Sequence, residues 1–396
     1  MSFYLESRDR EQCFNCTACA TVCPKKCIIM EVNPDDGYIY PKIDKTKCIN
    51  CGKCKLVCIN LNHKKLQSDI KKAYVLYNKN ENVRMKSSSG GISHILMQYV
   101  IQNDGVVYGA GYNDKLIVVH SRAETIKECD KFKTSKYVRS DIRDIYIKVI
   151  EDLKNDKLVL FTGTPCQIAG IKSVVNKNLQ KKLILCEIMC DCVASPILFE
   201  KFKDEIEKKY NSKIENINFR SKTNGAHNKS MEIKLKDRTV ILPQNSNNLY
   251  SEYMQIFGCG LSTPISCTKC EFEHVNERIS DFTIGDYWGK KEIIPDDNKG
   301  ISMLLLNTEK AIDIFEQYIK DNVNYIEVQP TVALDNNHIK HKNIILNKES
   351  FMEDLSKLSF DQLAKKYVRK YRWRTKLGKI IPKSLKEKIK EIINKR

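Results

Sequence analysis

Two runs of four cysteines, CFNCTACATVC from Cys13 to Cys23 and CINCGKCKLVC from Cys48 to Cys58, share the spacing C-x₂-C-x₂-C-x₃-C. Three thiolates two residues apart wrap a turn of backbone round three corners of an iron–sulfur cubane, while the fourth cysteine ligates the neighbouring cubane. The spacing therefore assigns Cys13, Cys16, Cys19 and Cys58 to one [4Fe–4S] cluster, and Cys48, Cys51, Cys54 and Cys23 to a second. In this reading each fourth cysteine starts a helix and points away from its own run. Zinc favours paired C-x₂-C ligands, and disulfides need an oxidising compartment; neither accounts for a duplicated run of four. The intervening VNPDDGYIYPKID reads as a β-hairpin closed at its DG turn. Ile59 stands where the second run would carry a proline like Pro24, which loosens the turn and leaves the ligand. Cys27 is surplus and is expected to be a buried thiol.

A chain of 396 residues has room for two or three domains. No run of eighteen apolar residues is present, so no membrane span is expected. The start, MSFYLESRDREQC, lacks the basic-then-apolar form of a secretory signal. Seventeen cysteines in such a chain point to a reducing, cytoplasmic setting. The net charge of +18 suggests nucleic acid, but its distribution argues otherwise. Residues 365–396 hold fourteen Lys and Arg against Glu387 and Glu391, a net +12 that leaves only +6 elsewhere. Aromatic side chains are not interleaved with that basic run as a stacking platform needs; Trp373 and two nearby tyrosines are the only candidates.

Residues 1–65 are too short and cysteine-dense to build a core from side chains alone and need inorganic staples. From residue 71 the pattern changes. AYVLYN, GVVYGAGY and LIVVHSRA read as strands, and SSSGGISHILMQYVIQ as a loop opening a helix. KLVLFTGTPCQIAGIKSVV followed by KLILCEI reads as a parallel βαβ unit, and SPILFEKFKDEIEKKY as a helix. Asn-rich stretches at 224–229 and 244–248 read as loops. The expected fold is α+β or α/β: a ferredoxin-like domain over 1–65, an α/β domain over 71–345, and a basic helical tail over 346–396.

Clusters conduct single electrons, and flavin is the usual converter to pairs. SSSGGISH, Ser87 to His94, places two glycines before a helix, where free amides suit a phosphate. FTGTPCQ, Phe161 to Gln167, lies at the C-terminal end of a parallel strand, where open α/β sheets bind ligands. Each is weak singly, since a Ser-Gly loop is most often a plain turn.

Taken in order, SSSGGISHIL, FKTSKYVRSD, VLFTGTPCQIAGIK, INFRSK, SCTKCEF and ERISDFTIGDYWG resemble the β-subunit family of coenzyme F420 hydrogenases and dehydrogenases, over residues 10 to 310 or so. The resemblance implies an FAD-binding domain with iron–sulfur clusters, passing electrons between a deazaflavin or other reductant, flavin and clusters. Relatives include formate dehydrogenase β subunits, 7-hydroxymethyl chlorophyll reductase and proteins encoded among polysaccharide-synthesis genes; the fused cysteine-rich front is most similar to the last. It implies flavin contacts at Ser88, Ser89, Gly90, Gly91, Ser135, Lys136, Tyr137, Gly163 and Thr164. Lys136 would meet a phosphate charge or stand as a solvated lysine. Cys166, Cys190, Cys267 and Cys270 either hold a third cluster or include small buried thiols. The family's Cys-His-Gly is replaced here by Cys190-Asp191-Cys192, which makes Cys192 a rival to Cys190. Cys129, Cys186 and Cys259 are expected in the core. The role of GDYWG, Gly285 to Gly289, is not derivable from its residues; Asp286 either orients a substrate or caps a turn.

In the tail, Leu377, Ile380, Ile381, Leu385, Ile389, Ile392 and Ile393 fall near helical spacing opposite lysines. Such a helix packs on the body, lies on an anionic membrane or docks an acidic donor such as ferredoxin. The sequence thus describes an oxidoreductase with a ferredoxin or F420-type donor and a small organic acceptor, a sugar derivative on the resemblance alone. Its rivals are a pure electron-transfer subunit and an iron–sulfur sensor with a lapsed flavin fold. Anaerobically purified protein is expected to carry about eight irons, or about twelve with a third cluster, by iron and sulfide assay; zinc in their place would overturn the assignment.

Overall fold

The computed structural model describes residues 3–272, 277–290, 292–335 and 347–369. The N-terminal hairpin pairs β1 (Ile28–Val32) with β2 (Ile39–Ile43) antiparallel, Ile28 opposite Ile43 and Val32 opposite Ile39. The connection is six residues rather than a two-residue DG turn. Asn33 N donates to Tyr38 O at 2.8 Å, and Gly37 N to Asn33 O at 2.8 Å. A short β3 (Ser68–Asp69) leads into the body, where the strands are β4 (Lys72–Asn78), β5 (Val106–Tyr112), β6 (Val118–Ala123), β7 (Val159–Gly163) and β8 (Leu183–Ile188). They continue with β9 (Ile214–Ser221), β10 (Ser230–Leu235), β11 (Thr239–Pro243), β12 (Glu277–Arg278), β13 (Phe282–Asp286), β14 (Ser302–Leu306) and β15 (Val323–Val328).

Eight of these form one sheet in the order β15-β4-β14-β13-β8-β7-β5-β6. Its centre, β13-β8-β7-β5, is parallel, and antiparallel pairs flank it. The central strands read as unbroken apolar runs because both faces are covered. Val159, Phe161, Leu183 and Leu185 pack with helices Ile145–Lys154 and Pro165–Val174. Leu160 and Ile184 face the helix Ile92–Gln102 on the other side. Each fully buried side chain of this kind contributes about 1.5–3 kcal/mol. The expected strands, the parallel βαβ unit and the mixed α/β class are all present.

A second layer packs the three-stranded sheet β11-β10-β9 against helices Pro196–Tyr210 and Leu249–Gly258, round Phe202, Phe219 and Tyr253. Helices Lys348–Leu355 and Phe360–Ala364 insert Phe351, Leu355, Phe360 and Leu363 into this same core. The first part of the expected tail is thus body rather than appendage. The apolar stripe from Leu377 to Ile393, and Trp373, lie outside the described residues.

The N-terminal residues are seated on the body. Tyr38 Oη donates to Ser262 O at 2.7 Å and Val193 O at 3.2 Å, and Ser195 Oγ to Asp36 O at 2.6 Å. Gly170, in the Pro165–Val174 helix, has no side chain for a steric reason. A Cβ there would stand 2.6 Å from Tyr146 Oη and 3.1 Å from Cys16 Cβ.

Lys348 is 4 % exposed. Its Nζ donates to Thr263 O at 2.6 Å, Gly260 O at 2.9 Å and Thr263 Oγ1 at 3.0 Å. Lys348→Met leaves Thr263 O buried and without this donor at about 1–3 kcal/mol, while Gly260 O keeps the Thr263 hydroxyl at 2.9 Å. The midpoint of urea unfolding is expected to fall accordingly, and an unchanged midpoint would show that the lysine does not anchor this segment.

Candidate redox site

The two cysteine runs fold alike. Asn15 and Thr17 in the first, and Asn50 and Gly52 in the second, have φ of 55°, 62°, 52° and 71°. Left-handed residues at these matched positions curl the backbone so that successive amides point inward, an arrangement suited to anionic groups. Each run then enters a one-turn helix, Ala18–Thr21 or Lys53–Leu56. Cys13, Cys16, Cys19 and Cys58 line one cavity with Phe3, Leu5, Ala18 and Ile59. Burial pushes the Cys13 thiol up to about 12 and those of Cys16 and Cys19 well above the usual range. Thiolates in such a pocket need positive charge to offset their desolvation, which coordinated iron supplies. Among the described residues no three His, Cys, Asp or Glu converge on a single metal ion. Four thiols around an apolar cavity suit a cubane, whose corners stand apart.

In the second set, Cys23, Cys48 and Cys54 pack round Ile28 and Cys27, and Cys51 is exposed. Cys58 precedes the helix Ile59–Asn62 as expected. Cys23 does not start a helix, because Lys26, at φ 48°, turns the chain toward β1. Cys27 is buried as expected, its Sγ 3.3 Å from that of Cys23.

The later cysteines converge at the carboxyl edge of the parallel strands. Cys166 lies in the first turn of the helix after β7, and Cys190 just beyond β8. Cys267 and Cys270 belong to the turn Ile265–Lys269 and its end. Burial raises the Cys190 thiol first, and then Cys166, Cys267, Cys192 and Cys270 do so as neighbours. All four expected residues are thus brought together. Cys192 stays close, but its Sγ lies 3.3 Å from Phe257 O and it packs on the second-layer core. Cys129 and Cys186 are buried as expected. Cys259 is exposed instead, because it follows the last turn of the Leu249–Gly258 helix.

Arg139 joins these sites and was not legible as a site residue. It is 7 % exposed. Its guanidinium donates to Cys166 Sγ at 3.2 Å, Phe14 O at 2.9 Å and Asn15 O at 3.0 Å. One fixed cation therefore touches both the first cysteine loop and the later set.

The residues expected to contact flavin share the same sheet edge, with mixed assignments. Ser88 Oγ accepts from Ser135 N at 2.8 Å, so these two meet. Ser89 Oγ donates to Ile301 O at 2.8 Å, and Gly90 N to Ser302 Oγ at 2.8 Å. A Cβ on Gly90 would stand 2.8 Å from Leu76 O, and Gly91 has φ 84°. Packing and backbone conformation thus explain both glycines within the protein itself. Gly163 and Thr164 lie at the end of β7, and the Thr164 side chain is taken up by a capping box with Gln167. Lys136 Nζ donates to Lys131 O at 2.5 Å, and burial pushes its pKa down to about 7.

Tyr137 leads to residues that sequence reasoning missed. Arg220 donates to its Oη at 3.0 Å, to Asp286 Oδ2 at 2.8 Å and to Ser88 O at 3.2 Å. This gives Asp286 of GDYWG a partner. Lys222 is 5 % exposed and donates to Ser89 O, Arg84 O and Lys299 O at 2.5, 2.6 and 2.7 Å. Arg84 pairs with Asp297 at 2.6 Å. Arg84 and Arg220, each paired with a carboxylate, thus stand with Lys222 round the Ser88–Ser89 backbone, and burial pushes the Lys222 pKa down to about 7. INFRSK marks the positions of Arg220 and Lys222, but nothing in it signals burial.

Thiols and basic side chains thus gather on one edge of the α/β sheet. Residues 156–333 match the family model that describes the C-terminal part of the coenzyme F420 hydrogenase/dehydrogenase beta subunit, so this region of the chain is similar to that family. No curated protein matches the chain. Among solved structures, a chain of the F420-reducing [NiFe] hydrogenase complex from Methanosarcina barkeri is similar, at 16% identity and TM-score 0.42, covering 76% of this chain and 92% of that one.

The geometry separates Cys190 from Cys192. If the four later cysteines hold a cluster, Cys190→Ser is expected to lower bound iron by about four per chain, while Cys192→Ser leaves iron unchanged. The reverse result in an iron assay would reassign the ligand.

Proposed function

We propose that the chain is an iron–sulfur flavoprotein oxidoreductase, exchanging electrons between a ferredoxin or F420-type partner and a small organic acceptor. The observation that carries this reading is a succession of thiols from the N-terminal runs toward the sheet edge. Cys54 lies within electrostatic reach of Cys19, and Cys16 within reach of Cys166. Cys190, with Cys267 and Cys270, then stands at the sheet edge that holds Ser88, Arg220 and Asp286. Bound at these places, two or three [4Fe–4S] clusters would carry single electrons and FAD would exchange pairs.

The chain's own groups have separable roles. Arg139 supplies a positive charge between the first and third cysteine sets. Arg220 and Lys222 hold the Ser88–Ser89 backbone in place through its carbonyls. Asp286 fixes Arg220 through their 2.8 Å pair. A sugar derivative as acceptor is supported by the resemblance alone. Among the described residues no helix is long and apolar enough to cross a membrane, which is compatible with a cytoplasmic protein, peripheral or not.

Anaerobic protein supplemented with iron, sulfide and FAD is the test. Bound flavin that is reduced when the clusters are reduced supports the reading; cluster-loaded protein that takes up no FAD sinks its flavin half. A chain that loads both and turns over no acceptor without a partner protein is a subunit rather than an enzyme. Arg139→Gln is expected to lower the cluster midpoint potentials by tens of millivolts in a spectroscopic redox titration, with Arg139→Lys recovering part of the shift. Unchanged potentials would leave Arg139 a purely structural tie.

A further inference from the structure

We propose that the second cysteine run is the docking surface for a small acidic iron–sulfur electron carrier; this rests on the electron-transfer reading above. Cys13, Cys16 and Cys19 line an interior cavity, whereas Cys51 is exposed. Electron transfer weakens steeply with distance, so exchange with a partner favours the ligand set nearest the surface. Leu56 and Ile49, 75 % and 57 % exposed, are among the four most exposed large apolar side chains of the described residues. Both belong to the run that carries Cys51.

The rim of this surface is basic. Lys45, Lys47, Lys53 and Lys55 are exposed, and residues 45–58 contain no Asp or Glu. Among the described residues, two carboxylates pair with these lysines: Asp44 with Lys47 at 3.2 Å and Glu6 with Lys55 at 2.9 Å. A small apolar centre inside a charged rim suits a brief complex, steered by charge and limited in area. The positive rim selects an acidic partner and disfavours a second copy of this chain, whose equivalent face carries the same sign. Two apolar side chains, Ile49 before and Leu56 at the end of a one-turn helix, are too little to lie in a membrane, where an extended amphipathic face is needed. The redox step is simple: one electron leaves the partner's reduced cluster and enters the outer cluster, and no bond or proton changes.

The experiment uses the full anaerobic holoprotein, with a prereduced two-[4Fe–4S] bacterial ferredoxin as probe in stopped flow. The electron-transfer rate is expected to fall about ten-fold or more between about 0.02 M and 0.2 M ionic strength, as screening shortens. Lys47→Glu/Lys53→Glu is expected to slow it about ten-fold and to flatten the salt dependence, and Leu56→Ser to slow it with the salt dependence kept. Reduction by methyl viologen radical should be unchanged in all variants, which separates docking from damage to the cluster. Iron and sulfide analysis of the same preparations separates the two levels of inference. Protein without clusters sinks the electron-transfer reading and the docking surface together. Loaded clusters that methyl viologen reduces, but whose reduction by ferredoxin ignores salt and the lysine substitutions, sink the docking surface alone. So does capture of the wild-type face by anionic phosphatidylglycerol vesicles, or a Leu56-dependent dimer in sedimentation, with no effect on transfer from ferredoxin.

Discussion

Arg139 is the tie on which the arrangement depends. A buried guanidinium must satisfy its donors or forfeit several kcal/mol. Its acceptors come from Phe14, Asn15 and Cys166, from stretches far apart in sequence. The first cysteine loop therefore cannot shift against the helix that follows β7 without stranding a charge. Gly170 works to the same end by leaving room for Cys16. Between them they place an N-terminal ligand set beside one built on the sheet.

The sheet supplies the rest by topology. Strands β4, β13, β8, β7 and β5 all run the same way, so the segments that leave them emerge on one edge. Ser88, Asp286, Cys190 and Cys166 come from four such segments. This is the edge where open α/β sheets gather ligands, and it explains how motifs scattered over about two hundred residues form one neighbourhood.

Much of this was legible in the sequence, for physical reasons that differ by element. The cysteine runs were legible because cubane geometry dictates their spacing. The central strands were legible because double-sided burial leaves only apolar residues. Arg139 and Lys222 were not, since long cations are ordinarily at the surface and only tertiary contact reveals the carbonyls that receive them. SSSGGISH suggested a phosphate cradle, yet the structure accounts for Gly90 by the closeness of Leu76 and Ser302, and for Gly91 by its backbone conformation. Cys259 looked like a core thiol, and its place past the end of a helix exposes it. The third cysteine set was legible in the sequence from the C-x₂-C pair Cys267/Cys270 and two cysteines after strands, and the fold brings the four near one another.

Tyr38 carries a consequence for how the molecule comes apart. Its hydroxyl is held by Val193 and Ser262, while Phe14 meets Phe272 edge to face at 5.1 Å. A single proteolytic nick near residues 64–67 would then sever the peptide without releasing the front sixty residues, and the fragments would migrate together under native conditions. Those residues made alone would present Phe14 and Ile59 to water. The opening of this chain is better regarded as an inlaid piece than as a detachable module.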